Sequence, residues 1–199
     1  GGSSVATSAH YRHVARLLGD EVAPAQVAVV SAMRGATDSL IGLAQAAADG
    51  RDWRDAWAAL VDRHLAAARE LDPSDAFGTA SWLEDASGAL RRLLGALADA
   101  RRLLPEEAAT IAGLGEVWSS RLLHAALGGE AHGWACLDAR EVLVVHPGEL
   151  GAGVDWATSR ERLAVWRQMH PQRRVVVTGF VARDREGRFT TLGRNGSDY

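Results

Sequence analysis

Apolar residues along this chain recur in two rhythms, and their alternation sets the expected architecture. From Thr7 to Leu18, Tyr11, Val14, Ala15, Leu17 and Leu18 fall on or near one helical stripe. The tight turn Gly1-Gly2-Ser3-Ser4 precedes it, and Ser3 or Ser4 is placed to cap it. Gln26 to Val30 is a short apolar run, which predicts a strand buried on both faces, as in a parallel sheet. It stops at the glycine-bearing loop Ser31-Ala32-Met33-Arg34-Gly35, and a helix is expected from Thr37 to Ala48.

Helical spacing then dominates from Asp52 to Leu104. Trp53, Trp57, Leu60 and Leu65 mark one helix; Trp82, Leu83, Leu90, Leu93, Leu94 and Leu97 mark another. Asp72-Pro73-Ser74 separates them, because proline does not continue a helix. Tryptophan at helical spacing is ordinarily core, so this stretch reads as a helical hairpin packed on the side of the sheet. Pro105-Glu106-Glu107 opens a further helix, bent near Gly113-Leu114-Gly115 and ended by Gly128-Gly129.

Strands are expected at Ala131 to Leu137, at Glu141 to Val145 and at Arg174 to Thr178, with a helix over 158 to 169 ahead of Pro171. Phe180 to Leu192 has the pattern of a hairpin turning at Glu186-Gly187. Short apolar strands alternating with helices define an α/β layered domain with a mainly parallel sheet. Ligands of such sheets collect at the carboxyl ends of strands. That rule selects the loops 31 to 37, 178 to 180 and 193 to 198, and the turn 1 to 4 if a strand precedes it.

Composition narrows the picture. In 199 residues, 47% are hydrophobic, which suits a globular core and argues against disorder. A net charge of -3 with no basic run excludes an electrostatic case for nucleic acid or a membrane surface. No apolar run is long enough to span a bilayer. The one cysteine, Cys136, sits in an apolar run and reads as buried and inert, and the expected compartment is reducing and cytoplasmic. All 22 basic residues are arginine, so no lysine stands ready for phosphoryl transfer.

Four segments carry candidate chemistry. Gly1, Gly2, Ser3 and Ser4 lead into a helix, where glycine backbone and hydroxyls can approach a phosphate; a plain helix cap reads the same way. Ser31 and Thr37 flank Gly35 with two hydroxyls, which serve either the strand-end crevice or local capping. Glu116 lies near a helix start, where the dipole favours a carboxylate. It is either a surface acid or a partner for a substrate ammonium. Gly193-Arg194-Asn195-Gly196-Ser197-Asp198 is dense in polar groups: Arg194 suits a carboxylate, Ser197 supplies a donor, and Asp198 could orient a cation or hydroxyl. The seven histidines show no metal-ligand spacing, and there is no Walker A pattern.

In this order the segments resemble one family. Gly-Gly-Ser-Ser-Val-Ala at 1 to 6 resembles the opening signature of aspartate kinases, and Val-Val-Ser-Ala-Met-Arg-Gly-Ala-Thr-Asp at 29 to 38 their second. Gly-Leu-Gly-Glu at 113 to 116 resembles their substrate-binding loop. Val-Thr-Gly-Phe at 177 to 180 and Thr-Thr-Leu-Gly-Arg-Asn-Gly-Ser-Asp-Tyr at 190 to 199 resemble the last signature. Asn195 and Tyr11-Arg12 are most similar to the kinase half of bifunctional aspartokinase/homoserine dehydrogenases.

The resemblance implies a three-layer α/β/α sandwich of the amino-acid-kinase kind, incomplete, with a helical hairpin insertion. It implies MgATP and L-aspartate as ligands, and NADP only if a dehydrogenase domain follows. Gly1, Gly2, Ser3 and Ser4 would face the phosphates. Ser31 and Thr37 would contact aspartate or the transferring phosphate. Glu116 would bind the α-ammonium, and Arg194 a carboxylate, with Ser197 beside it. Asp198 would organise the family's catalytic lysine. That lysine lies just ahead of the first Gly-Gly in the family, and the nucleotide half follows Gly-Ser-Asp-Tyr. The expectation is therefore an amino-terminal part of a kinase domain, inactive by itself, and homo-oligomeric in the full enzyme. A related kinase of another small carboxylate, and a non-catalytic module of the same fold, are the alternatives.

Overall fold

The computed structural model describes residues 1–20, 25–148 and 151–192. Its centre is a parallel sheet of three strands, β1 (Gln26–Val30), β2 (Trp134–Leu137) and β5 (Arg174–Thr178), in the order β1-β5-β2. The register sets Val27 beside Val175 and Val175 beside Ala135. Alternate residues therefore share a face. Val30, Val176 and Trp134 join the main core with helices α1 (Ser8–Asp20), α2 (Ala36–Ala48) and α6 (Leu114–Ala126). Ala135, Leu137 and Val175 pack on the other face against Val142 and Trp166. Those two belong to α7 (Ala139–Val142) and α8 (Trp156–Met169). Helices thus cover both faces of a parallel sheet, the α/β layered arrangement expected.

One expectation fails on this sheet. Val27 and Val29 of β1 are 68% and 64% exposed. Only one face of β1 is covered, because α7 and α8 pack over β5 and β2 while β1 stands at the edge.

A second sheet has the order β4-β3-β6-β7, built from β3 (Val144–Gly148), β4 (Gly151–Val154), β6 (Val181–Asp184) and β7 (Phe189–Thr191). Only β3 and β6 run parallel. The strand expected over Glu141 to Val145 is instead α7 followed by β3. Asp138 caps that short helix, accepting a hydrogen bond from the Arg140 N–H at 3.0 Å. Residues 131 to 133 are not extended either; Glu130–His132 form a 3₁₀ turn, and the strand starts at Trp134.

The helical hairpin is α3 (Arg54–Leu71) and α4 (Thr79–Ala100), followed by α5 (Pro105–Ala112). It packs on α2 and α6, one layer removed from the sheet. Asp72 organises the connection by accepting the Ala76 and Phe77 N–H groups, each at 2.9 Å. The tryptophans serve packing: Trp53 is buried, and Trp57 donates its indole N–H to Ser87 O at 3.3 Å. Cys136 lies 3.6 Å from Ser120 Oγ, and burial pushes its thiol pKa up, in keeping with an inert residue. Among the described residues no helix is long and apolar enough to cross a membrane.

Candidate functional site

Three segments meet at the carboxyl end of β1 around a cleft of about 380 Å³. Its lining comprises Gly2, Ser3, Ser31, Ala32, Met33, Arg34, Gly35, Thr37, Asp38 and Glu116. Five of the residues singled out in the sequence, Gly2, Ser3, Ser31, Thr37 and Glu116, are therefore brought together. Gly1 and Ser4 are exposed and do not line it; Ser4 N–H closes the turn onto Gly1 O at 2.9 Å. Arg194, Ser197 and Asp198, with the whole loop 193 to 198, lie outside the described residues.

The first wall is the 3₁₀ turn Gly2–Val5, anchored by the buried Val5. Ser3 and Ser4 do not cap α1. The helix begins at Ser8, beyond the reach of both hydroxyls, and its first bond runs from Tyr11 N–H to Thr7 O. Gly2 has a steric reason: a Cβ there would lie 3.1 Å from Ala32 O.

The second wall is the loop from Ser31 to Gly35. Met33 is fully buried and pins it. Gly35 takes φ 76°, a left-handed conformation that favours glycine, and stands as the N-cap of α2. Thr37 therefore sits inside the first turn of α2 rather than capping it, with its side chain half-buried at the cleft. Arg63 of α3 donates to Arg34 O at 3.1 Å and ties this loop to the hairpin.

The third wall is the start of α6. A Cβ on Gly115 would lie 2.8 Å from Ala32 Cβ and 3.4 Å from Leu40 Cδ1, so the missing side chain lets the helix press against the loop. Glu116 follows, in the third helical position and only 4% exposed. It is not the surface acid that helical spacing allowed. The backbone N–H groups of Ala32 and of Glu116 itself favour its charged form, yet Oε2 has no partner among the described residues. Burial raises its pKa to about 7, and the two backbone donors offset this only in part. The carboxyl group is thus poised between its two forms near neutral pH.

The loop 178 to 180, the second loop the strand-end rule selects, serves structure instead. Thr178 Oγ1 accepts the Ala139 N–H at 2.8 Å, and Gly179 N–H bonds Val30 O at 2.9 Å. Asp38 and the Ala32 N–H were not singled out as candidates. Asp38 carried a signal, since it closes the motif at 29 to 38; a backbone donor carries none.

A cleft with backbone donors and hydroxyls on one side and a desolvated carboxylate on the other can hold a ligand bearing both charges. The Amino acid kinase family model matches residues 1–199, and the chain belongs to that family. It is 31% identical over its whole length to bifunctional aspartokinase/homoserine dehydrogenase 2 of Arabidopsis thaliana, covering 22% of that protein. It is 30% identical to bifunctional aspartokinase/homoserine dehydrogenase 2 of Escherichia coli, covering 24% of it. The chain therefore spans less than a quarter of the curated relatives it matches. Among solved structures it is similar to E. coli aspartokinase III in complex with aspartate and ADP, with a TM-score of 0.83 at 26% identity, covering all of this chain and 43% of that one. These likenesses bear out the amino-acid-kinase fold and place the similarity in the aspartokinase part of the bifunctional relatives.

Proposed function

We propose that residues 1–199 form the aspartate-recognising, amino-terminal part of a kinase domain that phosphorylates the β-carboxylate of L-aspartate with ATP. Glu116 carries the reading. A buried carboxylate with an unpartnered oxygen, opening on a cleft, is satisfied by an ammonium that a ligand brings. The aspartate and ADP held by a similar aspartokinase support the choice of ligands.

In this reading Glu116 binds the α-ammonium of aspartate. Ser31 and Thr37 offer hydroxyl donors to the β-carboxylate or to the incoming phosphoryl group. The Gly1–Ser4 turn faces the phosphates of MgATP, with Mg²⁺ entering on the nucleotide. Arg194, Ser197 and Asp198 complete the set, Arg194 by gripping a carboxylate. The β-carboxylate is already ionised at neutral pH, so an oxygen attacks the γ-phosphorus without loss of a proton. The new P–O bond forms as the bond to ADP breaks, giving 4-phospho-L-aspartate. The obstacle is repulsion between two anions, and alignment with charge neutralisation removes it.

The test is an ATP-dependent hydroxamate assay on the full-length protein, offering aspartate, glutamate, N-acetylglutamate and UMP in turn. Trapped product that requires aspartate is the expected result; preference for another acceptor sinks the reading. The pH profile adds a check. Glu116 must be ionised to hold an ammonium, so kcat/KM for aspartate should fall about tenfold per pH unit below about 7.

A further inference from the structure

We propose that Tyr11 is a positioning residue for the cleft, its hydrogen bond to Ser119 setting the wall that carries Glu116 against the wall formed by Gly2 and Ser3. The inference rests on the reading of Glu116 as the ammonium-binding group.

Tyr11 lies on α1, the helix that leaves the Gly2–Val5 turn, and packs against α6. It has no exposed surface. Its Oη stands 2.7 Å from Ser119 Oγ, and Ser119 is also fully buried. Burial pushes the phenol pKa well above its usual value, so the group stays a neutral hydroxyl able to donate. Ser119 follows Glu116 by three residues, which places both on one side of α6. A hydrogen bond at that point fixes the rotation of α6 about its axis. It thereby fixes the distance from the Glu116 carboxylate to the Ala32 N–H, which favours the charged form. A phenylalanine would fill the same volume. The hydroxyl is therefore the part of Tyr11 that packing does not account for, and it acts where the two walls join. Tyr11 does not line the cleft, so it works through Glu116.

Tyr11→Phe and Ser119→Ala, made singly and together in the full-length protein, test this. Loss of the one hydrogen bond should raise KM for aspartate about fivefold with kcat nearly unchanged. The double variant should be no worse than either single one, because both remove the same bond. Independently of turnover, the Glu116 carboxyl followed by ¹³C NMR should titrate away from its value of about 7, because its distance to the Ala32 N–H and its burial both change as α6 shifts. An unmoved Glu116 titration in Tyr11→Phe overturns the inference. So does a fall in kcat at constant KM, which is what a smaller folded fraction alone produces. If the wild-type protein shows no dependence on aspartate, the functional reading fails while the titration still decides the role of Tyr11. If Tyr11→Phe does not fold, Ser119→Ala, which keeps the phenol, gives the same two readouts.

Discussion

Two neighbouring parts of α6 bury polar groups, and their surroundings differ. At the first turn, Glu116 opens on the cleft with Oε2 unpartnered. Half a turn further on, Trp118 faces the hairpin, where His64 of α3 meets it edge-on with ring centroids 5.0 Å apart. His64 Nδ1 lies 2.7 Å from Leu60 O, while His64 Nε2 and Trp118 Nε1 have no partner among the described residues. Burial opposes charge at both places. It raises Glu116 to about 7 and lowers His64 to about 4. The imidazole is enclosed by helices and stays neutral. The carboxyl group borders a space that a ligand can enter, so a ligand can restore its charge. Desolvation by itself does not mark a site; desolvation beside a cleft does.

Replacing Glu116 should break this contrast most strongly. Glu116→Gln removes the charge but keeps the shape, and kcat/KM for aspartate should fall roughly 100-fold or more in the hydroxamate assay.

The opposed shifts predict a second effect, in stability against pH. The folded state raises the Glu116 pKa from 4.5 to about 7, so its contribution is full below pH 4.5 and is lost as pH climbs to about 7. The folded state lowers His64 from 6.5 to about 4, so its contribution is full above pH 6.5 and is lost as pH falls toward 4. Each change amounts to about 3 kcal/mol, and over the shared window they nearly cancel. Urea denaturation between pH 4 and 8 should show it. Glu116→Gln should leave a profile that rises with pH, and His64→Leu one that falls. Above pH 7 the Gln variant should also be the more stable protein, by up to about 3 kcal/mol, while being the less active.

Gly115→Ala should sharpen the comparison at the cleft end. The new methyl would meet Ala32 Cβ at 2.8 Å, and neither group can rotate away. A destabilisation of about 1–3 kcal/mol is expected in thermal unfolding, outweighing the gain in helix propensity. The smallest effect belongs to the hairpin surface. Arg69 and Glu84 pair at 3.0 Å with both side chains more than half exposed, so Arg69→Ala should change stability by about 0.5 kcal/mol or less.

The sequence made the sheet's strands legible where apolar runs have sharp ends. Gln26–Val30 and Arg174–Thr178 form with the expected limits, since β-branched residues fill each run and a polar residue or glycine follows. It failed where local signals compete. Asp138 caps a helical turn that runs into what reads as a strand from Glu141, and the glycines at 151 and 153 hide β4. Exposure of Val27 and Val29 depends on which helices cover which strand, and no local pattern contains that. The cleft residues at 2, 3, 31, 37 and 116 were legible as polar or glycine positions at element boundaries. The burial of Glu116 was not, because it follows from the approach of α6 to Ala32, a contact between residues more than eighty positions apart.

That approach rests on absent atoms. Ala32, Ala36 and Gly115 bring the loop and α6 together because their side chains are one carbon or none. Sequence change at these positions is therefore coupled: a larger residue on one wall is tolerable only with a smaller one, or a displaced helix, on the other. Among homologues these three sites should drift in compensating pairs, or not at all.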